Sequence, residues 1–335
     1  WRTDHRTGGS CGGAAAAVAA GMLPAAHASD GGGSIRIPAA MCGLVGLKPS
    51  RGRISNGPRE EWSFSCQHVV SHTVRDTAAI LDATAIPFAG DGVVAPDHGR
   101  PYAGCVDADP GRLRIGLMPD NHRNETHPDC EAATRRTADL LSDLGHEVVE
   151  SRPEAFLHLG ELKDLAWAFT VNWSVGAVVS LSTLGEQLGR TVTAADVEPG
   201  TWAMAQQGEG YSGPDFSRAQ SILGGWRRSM AQWWNDFDVL LTPTTAQPPA
   251  RIGELTPTDD DPVRGSKRSL PYAVYTSPFN CTGQPAISLP LGSSDGLPIG
   301  VQLVGAYGRE DQLLSVGGQL ERAINWSAHR APIHA

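Results

Sequence analysis

LRIGLM at residues 113–118, HPDCEAATRRTADLLSDLG at 127–145 and HEVVE at 146–150 decide the fold class. The first and last stretches are short, apolar-rich runs and read as strands. Between them, His127 to Leu144 reads as a helix. Gly145 is its natural stop, because glycine adopts the left-handed conformation that closes a helix at no steric cost. A strand–helix–strand order points to α/β architecture.

Working outward, Gly13 to Met22 reads as an Ala-rich helix, packed too tightly for large side chains. Residues 28–34 (ASDGGGS) read as a glycine-rich loop, and Ile35 to Pro49 as a buried apolar segment. Thr73 to Thr84 has Val74, Ala78 and Leu81 at helical spacing, with Thr73 and Asp76 forming a start signal. Residues 85–111 read as surface loop. Residues 155–235 are helical in pattern and hold Trp167, Trp173, Trp202, Trp226, Trp233 and Trp234, which marks them as a candidate pocket wall. Asp238 to Thr242 reads as a buried strand stopped by Pro243. Residues 243–271 carry six prolines and read as a long excursion of the kind that forms lids. Ile299 to Val304 reads as a strand and Glu310 to Ile324 as a closing helix.

Composition excludes several function classes. The 335 residues are 40% hydrophobic and 19% charged, which suits a globular chain with a sizeable core. The net charge is -9 and no basic run occurs, so a nucleic-acid partner is not expected. No run of about 20 apolar residues is evident, so no membrane span is expected. The six cysteines form no C-x-x-C pair, which removes the zinc-ribbon and thioredoxin readings and suggests reduced thiols in the cytoplasm. The chain opens at Trp1 and reaches a catalytic-looking motif within ten residues, and is read as part of a longer protein.

The chemistry-bearing constellation is GGSCGG at 8–13 and DGGGSIR at 30–36. A serine hydroxyl needs a base to become nucleophilic, and the oxyanion it creates needs donors. Bare backbone amides at Gly31, Gly32 and Gly33 meet that second need, directly before Ser34. Arg36 stands where a G-x-S-x-G elbow requires glycine. No Gly-Lys-Ser/Thr follows either loop, so a P-loop is excluded. His27 and Asp30 invite a Ser–His–Asp reading, which proximity in the chain does not support. His68 and His72 lack the Glu of H-E-x-x-H, so no metal is expected. Ser10 also has a plain structural role open to it, as a helix N-cap.

TGGSCGGAAAAVAAG followed by SDGGGSIRIPAAMCGLVGLKPSRGRIS resembles the amidase signature family along its defining stretch. FDVLLTPTT, SPFNCTGQPAISLPLG and GLPIGVQLVG extend the resemblance over Thr7 to about Glu321. It implies a mixed β-sheet core covered by helices on both sides, as a single domain over 1–335 that lacks its N-terminal segment. It also implies Ser–Ser–Lys catalysis without any cofactor. In that scheme Ser34 is the nucleophile and Ser10, after a cis Gly9–Ser10 bond, relays its proton. Gly31, Gly32 and Gly33 form the oxyanion hole with the Ser34 amide, and Asp30 and Arg36 support the loop. AAHASDGGGSIRIPA resembles the branch holding 6-aminohexanoate cyclic dimer hydrolase and broad aryl or aliphatic amidases.

Two positions depart from the family pattern. Its lysine lies several tens of residues before the bridging serine, and here only nine residues precede Ser10. Lys48, Lys163 and Lys267 are not assigned to that role, and Lys48 reads as structural. Cys11 stands where many members carry Ser, and should alter hydrogen bonding beside the site. The expected substrate is a small-molecule amide, cleaved through an acyl-enzyme, with a homodimer among the assemblies allowed. The alternatives are an amidotransferase A-type subunit acting on charged tRNA, disfavoured by Ile37, and an inactive truncated fragment.

Overall fold

The computed structural model describes residues 1–57, 63–121, 125–157, 163–256 and 264–334. Where the sequence reads as one domain, the contacts divide the chain into two compact units. One comprises Trp1–Arg152, Trp233–Glu254 and Ser269–Ala335, the other Pro153–Gln232 and Leu255–Arg268.

The first unit is built on an eight-stranded mixed sheet. Its strands are β1 (Ala25–Asp30), β2 (Val45–Lys48), β3 (Cys66–Ser71), β4 (Arg114–Leu117), β5 (Glu147–Glu150), β6 (Val239–Pro243), β7 (Ala286–Ser294) and β8 (Leu297–Gly305). The spatial order is β1-β3-β2-β7-β8-β6-β4-β5. β4 runs parallel to β5 and β6, and the other pairings are antiparallel. The parallel β4–β5 pair needs a crossover, which α4 (Pro128–Asp143) supplies. Pro128 opens that helix and Gly145, at φ +98, follows its end, as the sequence indicates.

Strand alternation sorts the helices onto two faces. Val45, Leu47, Ile287, Leu289, Val301 and Leu303 share a core with α3 (Val74–Thr84), α4 and α10 (Glu310–Ile324). On the other face, Ile35 and Ala39 pack with α1 (Gly12–Ala19) and with Val70 of β3. Here α2 (Arg36–Cys42) comes so close that a Cβ on Gly46 would lie 2.6 Å from Ala39 and one on Gly300 would collide with Ala40. Glycine at both positions lets the helix lie directly on β2 and β8.

Several local expectations change. The first helix ends at Ala19, short of Met22, because Gly21 turns to φ +77 ahead of Pro24. β1 occupies residues read as loop, and β3 was not visible in the pattern. Their pairing across Ala25↔Ser71 to Asp30↔Cys66 overrides the weak strand preference of AAHASD. α3 begins as expected, with Thr73 Oγ1 accepting the Asp76 N–H at 3.0 Å. Of the excursion at 243–271, residues 257–263 lie outside the described residues, and α9 (Arg264–Ala273) forms its far end.

The second unit is helical: α5 (Glu154–Leu157), α6 (Lys163–Leu188), α7 (Pro199–Glu209) and α8 (Gly213–Ala231). α6 packs against α7 and α8. Contrary to the expectation that no segment is long and apolar enough to cross a membrane, α6 is 26 residues long and contains an 18-residue stretch whose mean hydropathy is 1.3. Its Thr, Asn and Ser residues dilute the apolar run and conceal it from a search for unbroken apolar sequence. The tryptophans of this unit pack locally: Trp167 meets Tyr211 edge-on at 6.4 Å, and Trp226 Nε1 donates to Ala155 O at 2.9 Å. Trp233 stacks on Phe237 at 4.3 Å in the first unit and fills the space that a Gly116 side chain would take.

Candidate active site

Every expected site residue belongs to the first unit, on two neighbouring loops. Ser10 lies exposed just before α1, and the Gly9–Ser10 peptide is cis. It is not the cap of that helix. Cys11 holds the N-cap position and makes no side-chain cap bond. The Cys11 sulfur instead accepts the Ser29 N–H at 3.3 Å, and its thiol donates to Ser29 O at 3.4 Å. This pair of contacts ties the Ser10 loop to the strand that leads into the Ser34 loop.

Ser34 is half-buried, between β1 and α2. Among the described residues neither the Ser10 nor the Ser34 hydroxyl has a hydrogen-bond partner, so no direct bond links the two. Directly under Ser34 lies a fully buried ion pair. Arg36 Nε and Nη2 each reach one oxygen of the Asp30 carboxylate at 2.9 Å. That carboxylate also accepts the backbone N–H groups of Gly33 (2.6 Å), Ile35 (3.2 Å) and Arg36 (3.4 Å). It therefore bends the chain around itself and starts α2.

Burial alone would raise the Asp30 carboxyl. The Arg36 charge and hydrogen bonds, the Lys48 charge and Asn280 outweigh it and hold the group down at about 2. Arg36 spends its remaining donors on Thr276 O (3.0 Å), Gln302 Oε1 (2.8 Å) and Asn280 Oδ1 (2.6 Å). Asn280 Nδ2 returns to the Asp30 carbonyl at 2.7 Å and its carboxylate at 2.9 Å. A charge pair buried this deeply persists only when its remaining donors and acceptors are met, as they are here.

The Gly31–Gly33 donor set narrows in the structure. The Gly33 N–H is directed at Asp30 and is not available to an oxyanion. The N–H groups of Gly31, Gly32 and Ser34 have no acceptor among the described residues. Gly33 sits at φ +134, a region that favours glycine, and a side chain there would collide with Thr276 and Ile37. The Gly32 carbonyl accepts from Thr276 Oγ1 at 2.7 Å and Ser277 Oγ at 2.9 Å.

Thr276, Ser277, Asn280 and Gln302 were not singled out in the sequence. A signal was there. Gln302 is the one amide in the apolar run PIGVQLVG, and a polar side chain in a buried strand needs partners.

The rejected alternatives separate in space. His27 is exposed and bonded to Gln67 at 3.1 Å, while Asp30 is buried, because odd and even positions of β1 face opposite ways. No metal-binding cluster occurs among the described residues. His68 is buried with both ring nitrogens unpartnered, and burial lowers it to about 4. Lys48 is fully buried at the end of β2, its Nζ 2.8 Å from Pro49 O and 3.8 Å from Cys66 Sγ, and burial lowers its pKa. That placement agrees with a structural lysine.

A family model described as Amidase matches residues 1–314. The 6-aminohexanoate-cyclic-dimer hydrolase of Paenarthrobacter ureafaciens is 41% identical over 98% of this chain and 69% of its own length. A solved 6-aminohexanoate cyclic dimer hydrolase complexed with substrate is 38% identical and superposes with a TM-score of 0.94, covering 100% of this chain and 72% of that one. A bacterial aryl acylamidase of the amidase signature family gives a TM-score of 0.83 at 25% identity, over 98% and 68% of the two chains.

Proposed function

Since this chain belongs to the amidase family, whose chemistry is hydrolysis of amide C–N bonds, we propose that Ser34 is its nucleophile and a small-molecule amide its substrate. The observation that carries this reading is the Asp30–Ser34 turn. It presents a serine beside three N–H groups without acceptors, on a rigid and fully buried ion pair.

In this scheme Ser34 Oγ adds to the amide carbonyl and gives up its proton towards Ser10. The N–H groups of Gly31, Gly32 and Ser34 receive the charge that develops on the carbonyl oxygen. The amine leaves with a proton, and water then releases the acid from the acyl-enzyme. The onward base is the family's lysine. Lys48, turned to Pro49, does not serve, and Lys163 and Lys267 lie on neither serine loop. Similarity to a cyclic-dimer hydrolase favours aliphatic amides of ω-amino acids, linear or cyclic. Expected assembly and location, a homodimer in the cytoplasm, are part of the same proposal.

The test, made on full-length protein that carries the family's lysine, is a panel of aliphatic, cyclic and aryl amides read by released amine, with a fluorophosphonate serine probe in parallel. The probe labels Ser34, and Ser34→Ala abolishes both labelling and turnover. Labelling that survives the substitution removes Ser34 from its role.

A further inference from the structure

We infer that Thr276 and Ser277 are positioning residues that lock the Gly32–Gly33 peptide, so that the neighbouring amides keep the orientation an oxyanion requires. The inference rests on Ser34 as nucleophile.

Three successive glycines have no side chains to restrain their torsions. Yet oxyanion stabilisation depends on donors that are already in place when charge develops. Rigidity must therefore come from outside the glycines. The Asp30 carboxylate holds one end of the Gly32–Gly33 peptide, through the Gly33 N–H at 2.6 Å. The other end is held from about 240 residues further along the chain. Thr276 Oγ1 and Ser277 Oγ donate to the Gly32 carbonyl at 2.7 and 2.9 Å and occupy both of its lone pairs.

A peptide is planar, so pinning both its C=O and its N–H fixes the plane. Reversing it would break three hydrogen bonds and aim the Gly32 oxygen at the Asp30 carboxylate. The clamp is itself anchored. Thr276 is fully buried, and its carbonyl accepts from Arg36 Nη1 at 3.0 Å. The same arginine pairs with Asp30, so both ends of the locked peptide trace back to one guanidinium. Thr276 Oγ1 also lies 3.3 Å from Ala273 O, a longer contact that competes weakly for its single proton.

The experiment compares Thr276→Val, which keeps shape and loses the hydroxyl, Ser277→Ala, the double variant, and Thr276→Ser. Three quantities are read: amide exchange of residues 31–36, kcat and KM on the best amide of the panel, and affinity for an aldehyde that forms a tetrahedral adduct. The double variant is expected to exchange faster at these amides. Its kcat falls about tenfold with KM unchanged, less than the roughly 100- to 1,000-fold of losing a donor itself. Aldehyde affinity falls in parallel, and Thr276→Ser recovers most of kcat.

Unchanged exchange overturns the inference whether or not the chain turns over. Faster exchange with kcat and aldehyde affinity within twofold of the parent overturns it too. If Thr276→Val does not fold, Ser277→Ala, which alters a half-buried residue, is judged by the same readings. A full-length parent, with the family's lysine present, that neither reacts with the serine probe nor hydrolyses any amide sinks the nucleophile reading instead, before any clamp variant is made.

Discussion

Replacing Asp30 by Asn is the sharpest test of how the nucleophile loop is held. The carboxylate accepts from six N–H groups. Gly33 N, Arg36 Nη2 and Asn280 Nδ2 reach one oxygen, and Arg36 Nε, Ile35 N and Arg36 N reach the other. It needs an acceptor at both positions. Asparagine places an NH2 at one of them, where it opposes three donors, and leaves the fully buried Arg36 without a counter-charge. Breaking a buried pair from one side costs about 3–5 kcal/mol. Unfolding entropy grows with chain length, so for 335 residues that lowers Tm by roughly 4–7 °C. Urea unfolding of both proteins, followed by tryptophan fluorescence, measures the difference directly. A destabilisation under about 1 kcal/mol would refute the account, because that is the scale of a surface pair. The wild type carries a matching pH signature. A carboxyl held at about 2 adds stability that is fully present above the ordinary carboxylate range and is lost as pH falls towards 2. The difference amounts to roughly 2 kcal/mol. Asp30→Asn should lose this part of the acid limb.

His68 predicts a second pH effect at milder acidity. Its pKa falls from the ordinary 6.5 to about 4 through burial, so the unfolded chain takes up this proton first and stability drops as pH falls from 6.5 to 4. His68→Phe should flatten that interval by about 3 kcal/mol in pH-dependent unfolding, and an unchanged slope would contradict the burial argument. Gly33→Ala should destabilise by about 1–3 kcal/mol and abolish labelling of Ser34, because φ +134 and the Thr276 and Ile37 side chains exclude a methyl group. Normal labelling with normal Tm would show that the loop is softer than its hydrogen bonds indicate.

Much of the sheet's far side was legible in the sequence. β4, α4 and β5 carry strong periodicity and a Gly145 stop, and local signals suffice there. β1 was not, since Ala, Ser and Asp have little strand preference and only its pairing with β3 makes it a strand. β7 went unread, and only the centre of β8 was read. The site divided the same way. Ser10, Ser34, the glycines and the Asp30–Arg36 pair sit within 27 residues and read as one pattern. Thr276, Ser277, Asn280 and Gln302 act on that pattern from the opposite end of the chain, where no local spacing reports the contact.

The six cysteines carry a practical consequence. All are unpaired and five are buried, among them Cys42, Cys130 and Cys281, whose thiols burial pushes up to about 12. Only Cys11 is partly open to solvent, one residue from Ser10. A fluorescent maleimide offered to the native chain thus has a single address. The dye would sit at the seam between the two serine loops and report on ligand arrival there without any engineered label.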